Sequence, residues 1–248
     1  MSSSFAPDAL YLAIETSGPL GSVAVGVGAH VLARAFLDRQ GRHAAELIPR
    51  LQQTLLEARV ASRDLAGVVV GSGPGSFTGV RVAAATGKGI AHALGLPLWP
   101  FSSLEAAAVA ERVLPSIPAL RGGPPLAGSE CLRYVLFDAR GERLYAACYR
   151  VGADGVEERI PPHATRIGSL LRSELHADAC FVGDGAVKHE SDIQATGHRV
   201  LPSPAGVPTA DALLHLLALR PDSVPVPGAG PWEPQYVKAS SAERARAV

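Results

Sequence analysis

A short apolar run, Gly67-Val68-Val69-Val70, ends in Gly71-Ser72-Gly73-Pro74-Gly75-Ser76-Phe77-Thr78-Gly79-Val80-Arg81, and an alanine-rich pattern then runs to Leu94. Strand, glycine turn and helix in that order commit the chain to α/β architecture. The same order is a ready anion site, because the first N–H groups of a helix are unpaired and its dipole is positive there. Ser76 and Thr78 are candidate caps for that helix. The simpler expectation is a tight, capped turn.

The standard nucleotide machines do not fit. A Walker loop needs a glycine five residues before Gly-Lys-Ser/Thr; ahead of Gly87-Lys88 that position is Val82, and Gly89 follows the lysine. A dinucleotide fingerprint fails because Gly71-x-Gly73 runs on to Ser76, and Gly73-x-Gly75 runs on to Thr78. A nucleophile elbow needs glycines two before and two after its serine. Ser76 has Pro74 and Thr78 there.

The 23 Lys and Arg balance the 23 Asp and Glu over 248 residues, so no global field favours nucleic acid. Cys131, Cys148 and Cys180 form no Cys-x-x-Cys, which suggests reduced core thiols in a cytoplasmic protein. The N-terminal residues lack a signal core and no apolar run reaches spanning length. The expectation is a soluble cytoplasmic chain without a membrane partner.

Apolar runs predict strands over 11–16, 22–27 and 31–37, the first two joined by Gly18-Pro19-Leu20-Gly21. A helix is expected over 43–59, with Leu47, Ile48, Leu51, Leu55 and Leu56 on one stripe and either a start or a kink at Pro49. Strand 68–71, helix 79–94, strand 96–101 and helix 103–113 follow. Three antiparallel strands and then alternating helix and strand is the ribonuclease-H-like order, the repeat unit of actin-type ATPases. A second cycle is expected from strands 134–138 and 143–150, a helix over 167–175, a strand over 180–183 and a helix over 210–219. The fold class is therefore α/β, a two-lobed actin-like ATPase fold with mixed sheets flanked by helices. The expected lobes are 1–110 and a smaller, degenerate 111–209, with 210–248 packing back on the first. The proline- and glycine-rich stretches 115–128 and 221–234 have neither helical nor strand period.

Five ordered segments resemble the TsaB (YeaZ) family, a bacterial factor for threonylcarbamoyl modification of tRNA adenosine. They are Leu12-Ala13-Ile14-Glu15-Thr16-Ser17, then His43 with Leu47 and Pro49, then GPGSFTGVR at 73–81. Asp138-Ala139-Arg140 with Tyr145 is the fourth, and Pro234-x-Tyr236-Val237-Lys238 followed by Glu243-Arg244 is the fifth. The resemblance implies a non-catalytic subunit that binds the related catalytic TsaD and works with the ATPase TsaE. It also implies a homodimer when alone, and tRNA contact mainly through the complex.

TsaD carries a His-x-x-x-His metal pair after its fifth strand. Ser103 and Ala107 stand at those positions here, so no metal site is expected. Glu15 is a vestigial nucleotide-side carboxylate in this reading, and Phe137-Asp138-Ala139-Arg140-Gly141-Glu142 replaces the second phosphate loop of actin-type ATPases. No cofactor is expected in isolation, with ATP or ADP only at a complex interface. The loop residues Gly73, Pro74, Gly75, Ser76, Phe77, Thr78, Gly79 and Arg81 are candidates for a phosphate or partner contact. His43, Leu47, Ala84 and Gly87 are candidates for partner-facing helices. The competing reading is an independent actin-fold small-molecule kinase or ATPase, which would need two phosphate loops; a peptidase finds no zinc, serine or cysteine signature.

Overall fold

The protein is described here from a computed structural model. It describes residues 5–37, 43–113, 131–152, 155–227, 230–234 and 237, without the side chains of 43, 44 and 111–113. The linker 115–128 and the terminal Tyr236, Lys238, Glu243 and Arg244 lie outside them. The chain divides into two compact units, Met1–Ala106 with Pro208–Gln235, and Ala107–Val207 with Tyr236–Val248.

The first unit holds strands β1 (Leu10–Glu15), β2 (Gly21–Val27), β3 (His30–Leu37), β4 (Leu65–Gly71) and β5 (Leu98–Phe101). They form one sheet in the order β3-β2-β1-β4-β5. β1 and β4 read as unbroken apolar runs because both their faces are covered, and they pair in parallel with Ile14 opposite Val70. β2 and β3 add antiparallel, and β5 adds parallel with Gly71 opposite Phe101.

Helices α1 (His43–Ala58) and α2 (Phe77–Leu94) send Leu47, Leu51, Ala83 and Ala91 onto Leu12, Ile14, Val68 and Val70. Pro49 does not interrupt α1 and sits on its exposed side. The last helix, α7 (Ala210–Leu219), covers the opposite face, where Gly26 lies against Leu214.

The second unit repeats this plan. Strands β6 (Cys131–Asp138), β7 (Arg143–Gly152), β8 (Gly155–Arg166), β9 (Cys180–Val182) and β10 (Arg199–Val200) order as β10-β9-β6-β7-β8. Read from the third strand of the set, both sheets run 3-2-1-4-5. The first three strands are antiparallel and the others parallel.

Strand β8 does not emerge from the sequence pattern because Pro161-Pro162 breaks its alternation. Proline is tolerated there since β8 is an edge strand and the pair falls at a register shift between Ala146–His163 and Cys148–Ile160. Two-residue β10 is also below the length at which alternation is visible. Between strands lie the short α4 (Ile167–Leu171), α5 (Asp184–Lys188) and α6 (Glu190–Gln194). Cys148 and Cys180 are buried and Cys131 is half-buried, and among the described residues none of the three forms a disulfide.

The helix α3 (Ser103–Val113) starts in the first unit and belongs from Ala107 onward to the second, where Arg133 donates to the Ala108 carbonyl. α7 joins the first unit although it follows the second sheet in sequence. Its N-terminus is fixed by a pair that sequence does not announce, Asp211 Oδ2 at 2.9 Å from Arg34 Nη1 on β3. Burial pushes the Asp211 carboxyl up to about 6, and Arg34 pulls it back only in part.

A carboxyl whose folded pKa is raised stabilises the fold as pH falls through that value and loses the contribution above it. A rise from 3.8 to about 6 is worth about 3 kcal/mol at ~1.4 kcal/mol per pH unit. The parent chain should therefore gain stability in denaturant titrations between pH 7 and 5, and Asp211→Asn should flatten that slope. Equal slopes for the two proteins would contradict this.

Candidate functional site

Glu15 ends β1 with its carboxylate fully buried, and the glycine loop is assembled around it. Its Oε1 accepts the Ser17 N–H at 2.6 Å, and its Oε2 accepts the Ser103 hydroxyl at 2.9 Å. The Ser103 oxygen accepts the Gly73 N–H at 3.2 Å, while the Ser103 N–H donates to the Gly73 carbonyl at 2.9 Å. One serine thus ties the head of α3 to both the loop and the strand end. Burial raises the Glu15 carboxyl above its ordinary value, and the hydrogen bonds from Ser17 and Ser103 act in the opposite direction.

The rest of the loop is fastened in the same way. Ser72 donates both its N–H, at 2.8 Å, and its hydroxyl, at 2.9 Å, to the Phe101 carbonyl. Ser76 N–H reaches the Ser17 carbonyl at 2.8 Å, and the Thr16 hydroxyl reaches the Gly79 carbonyl at 2.6 Å. Two glycines are fixed by space. A Cβ on Gly71 would lie 1.9 Å from Glu15 Oε2, and one on Gly79 would lie 1.9 Å from the Thr16 carbonyl oxygen.

Gly73 and Pro74 are buried and Gly75 is half-buried, whereas Ser76, Phe77 and Thr78 are exposed. Ser76 is the N-cap of α2, accepting the Gly79 N–H at 3.3 Å; Thr78 lies inside the first turn and does not cap it. Phe77 is 56% exposed, with the Arg81 guanidinium 3.8 Å above its ring centre. The loop N–H groups of Ser72, Gly73, Ser76 and Gly79 are all committed to oxygens of the chain itself. A phosphate cradle needs such donors free and convergent.

In the second unit the counterpart turn is also closed. Asp184 Oδ1 accepts the N–H groups of Asp138, at 3.1 Å, and Gly185, at 2.9 Å. Lys188 Nζ bonds Asp138 Oδ1 at 2.9 Å and the Gly141 carbonyl at 3.0 Å. Asp138 also accepts the Arg140 N–H at 3.0 Å, making the charged hairpin a self-bonded turn. Among the described residues no three His, Cys, Asp or Glu gather as a metal set. Ser103 serves Glu15, and Ala107 is buried.

Of the helix candidates, Leu47, Ala84 and Gly87 are buried; a Cβ on Gly87 would lie 2.3 Å from Val70 Cγ1. His43 opens α1, and its side chain is outside the described residues. The small residues of α2 divide by face: Ala83, Ala84, Gly87 and Ala91 are buried, while Ala85, Gly89 and Ala93 form an exposed row at four-residue spacing. On α1, Ile48 is 46% and Leu56 78% exposed, so these two leave the buried stripe and mark an outer apolar line.

Glu15→Gln can keep the Ser17 N–H bond through its Oε1, but its NH2 cannot accept the Ser103 hydroxyl, so it should cost about 1 kcal/mol, whereas Glu15→Ala should cost about 2–4 kcal/mol through a cavity and orphaned donors. Gly71→Ala and Gly79→Ala should each destabilise by about 1–3 kcal/mol through forced displacement. By contrast Gly89→Ala, with nothing within 4 Å of the added methyl, should stabilise α2 by about 0.5–1 kcal/mol. Denaturant midpoints decide all five; equal cost at Gly79 and Gly89 would refute the division of the helix.

Residues 37–197 match the family model described as TsaD, tRNA N6-adenosine threonylcarbamoyltransferase. The tRNA threonylcarbamoyladenosine biosynthesis protein TsaB of Bacillus subtilis is 26% identical over 185 residues, 74% of each chain. A tRNA N6-adenosine threonylcarbamoyltransferase of Rhizobium meliloti is 38% identical over 88 residues, 36% of this chain and 22% of that protein. The match to uncharacterized mycobacterial relatives spans 46% of their length. The structure of YeaZ from Pseudomonas aeruginosa superposes with a TM-score of 0.71 at 25% identity, covering 92% of this chain and all of that one. With the paired 3-2-1-4-5 sheets of an actin-like ATPase fold, these likenesses establish that the chain belongs to the TsaB/YeaZ family, within the wider group that the matched model describes.

Proposed function

We propose that this chain is a supporting subunit in tRNA threonylcarbamoyladenosine biosynthesis that docks on a TsaD-type subunit through the outer face of α1 and α2. The observation that carries the reading is the division of α2: its outer row Ala85, Gly89 and Ala93 is small and exposed, and α1, which meets α2, exposes Ile48 and Leu56. Small residues let another helix approach closely, and the apolar flank supplies area that binding removes from water. A TsaD-type partner suits that face because the matched family model includes the α1 and α2 region, so such a partner brings a comparable pair of helices.

In this account the glycine loop is architectural. It sets the angle at which α2 leaves β4, and Phe77 with Arg81 forms the exposed end of the docking helix. Nucleotide binding in isolation is disfavoured because the N–H groups of Ser72, Gly73, Ser76 and Gly79 serve internal oxygens; ATP or ADP would bind at a joint interface. The chain alone lacks transferase activity, a TsaE-type ATPase joins the complex, and zero formal net charge leaves most tRNA phosphates to the partners. The free chain pairs with itself through the same face, in the cytoplasm. No helix of the described residues is long and apolar enough to cross a membrane.

The test mixes the chain with a TsaD-type subunit and measures mass by light scattering on a sizing column. A stable hetero-complex is expected. Gly89→Arg, at a site open to solvent, should leave the thermal midpoint near that of the parent yet weaken association by roughly 100-fold, the weight of about 3 kcal/mol. Unchanged affinity in that variant would remove α2 from the interface, and absence of any complex would return the kinase reading to consideration.

A further inference from the structure

Beyond Arg220, the proline-rich segment follows the outer edge of the first sheet. Among the described residues β5 is the last strand there, with no strand beyond it. Val68 donates to the Pro97 carbonyl at 3.0 Å, so strand alternation points the polar groups of Leu98 and Pro100 outward. Pro100 has no N–H to offer. The Leu98 carbonyl receives the Val226 N–H at 2.9 Å.

Three further ties hold the same segment. Arg220 pairs with the buried Glu105. Trp99 Nε1–H donates to the Ser223 carbonyl at 3.2 Å, and Lys88 Nζ on α2 donates to the Trp232 carbonyl at 2.7 Å. Val226 and Trp232 also pack on the main core cluster. Between the ties the chain stands off; Val224 is 84% exposed. Val226 is flanked by Pro225 and Pro227, and a residue before proline is held extended. The segment therefore gives one N–H to the sheet and has none at either adjacent position for a further strand.

An open sheet edge is a template for pairing with another chain, and proline is a known means of blunting it. We propose that residues 221–234 are an edge guard, which seals β5 and, lacking donors on both sides of Val226, ends the first sheet against strand addition by a second copy of this chain. The guard meets α2 at Lys88, but its test does not depend on a TsaD-type partner.

Of the chain's two tryptophans, Trp99 touches the segment and Trp232 lies within it. In a Trp232→Phe background of the full chain, Trp99 emission reports whether the strap is seated. Val226→Pro removes the sheet-side donor without shortening the chain. It should shift Trp99 emission to the red and add oligomers, beyond the parent's state, that grow with concentration in light scattering. A second variant, Pro225→Thr with Pro227→Thr, restores outer donors. It should leave Trp99 emission unchanged yet also add such oligomers. Unmoved Trp99 emission in Val226→Pro, or parent-like assembly in either folded variant, overturns the proposal; should Val226→Pro unfold by circular dichroism, the threonine variant decides alone.

Discussion

A buried carboxylate sets the local architecture of this protein. Glu15 is taken wholly out of water at the end of a central strand, and an unpaired group there would cost several kcal/mol. It is satisfied by Ser17 on its own turn and by Ser103 from 88 residues away, and Ser103 then holds Gly73 at both N–H and carbonyl. Loop, strand end and the head of α3 are therefore one hydrogen-bonded object. The space beside the carboxylate leaves no room for a side chain at position 71, so the first glycine is a consequence of Glu15. In an actin-like fold, a loop held inward in this way acts as a joint for α2.

The same logic recurs at the second sheet with different residues. β6 ends in Asp138, and its hairpin closes on Lys188 while Asp184 receives the strand-end N–H. In the first sheet the carboxylate that ends the first strand organises the turn after the fourth, whereas in the second the Asp184 carboxylate of that turn receives the strand-end N–H. The helices after the two fifth strands, α3 and α7, do not both remain with their own sheets: α3 passes into the second unit, and α7 joins the first. The Asp211–Arg34 pair and the Ala210 N–H bond to Ser22, at 2.9 Å, fix α7 on that face.

The first sheet was legible because its strands are apolar runs with clear glycine turns, and α2 followed from the strand–glycine–helix order. The second sheet was only half legible. Its helices span five residues, too few to express a helical period, and β8 hides behind Pro161-Pro162. Composition identified α2 as rich in small residues but could not say which faced inward; that depends on the phase fixed by the Ser76 cap and the Val70 contact with Gly87. Hence Leu47, Ala84 and Gly87 went to the core, and Ile48, Leu56, Ala85 and Gly89 took the exposed side. The Glu15–Ser103 bond joins positions that no local pattern relates.

The central claim is that the glycine loop orients a docking helix whose outer row meets a TsaD-type subunit. Hydrogen–deuterium exchange on the chain alone and in the mixed complex tests it most directly. The account predicts new protection in peptides spanning 77–94 and 43–58, with the second sheet unchanged. Protection confined to 131–200, with α1 and α2 exchanging as in the free chain, would contradict it.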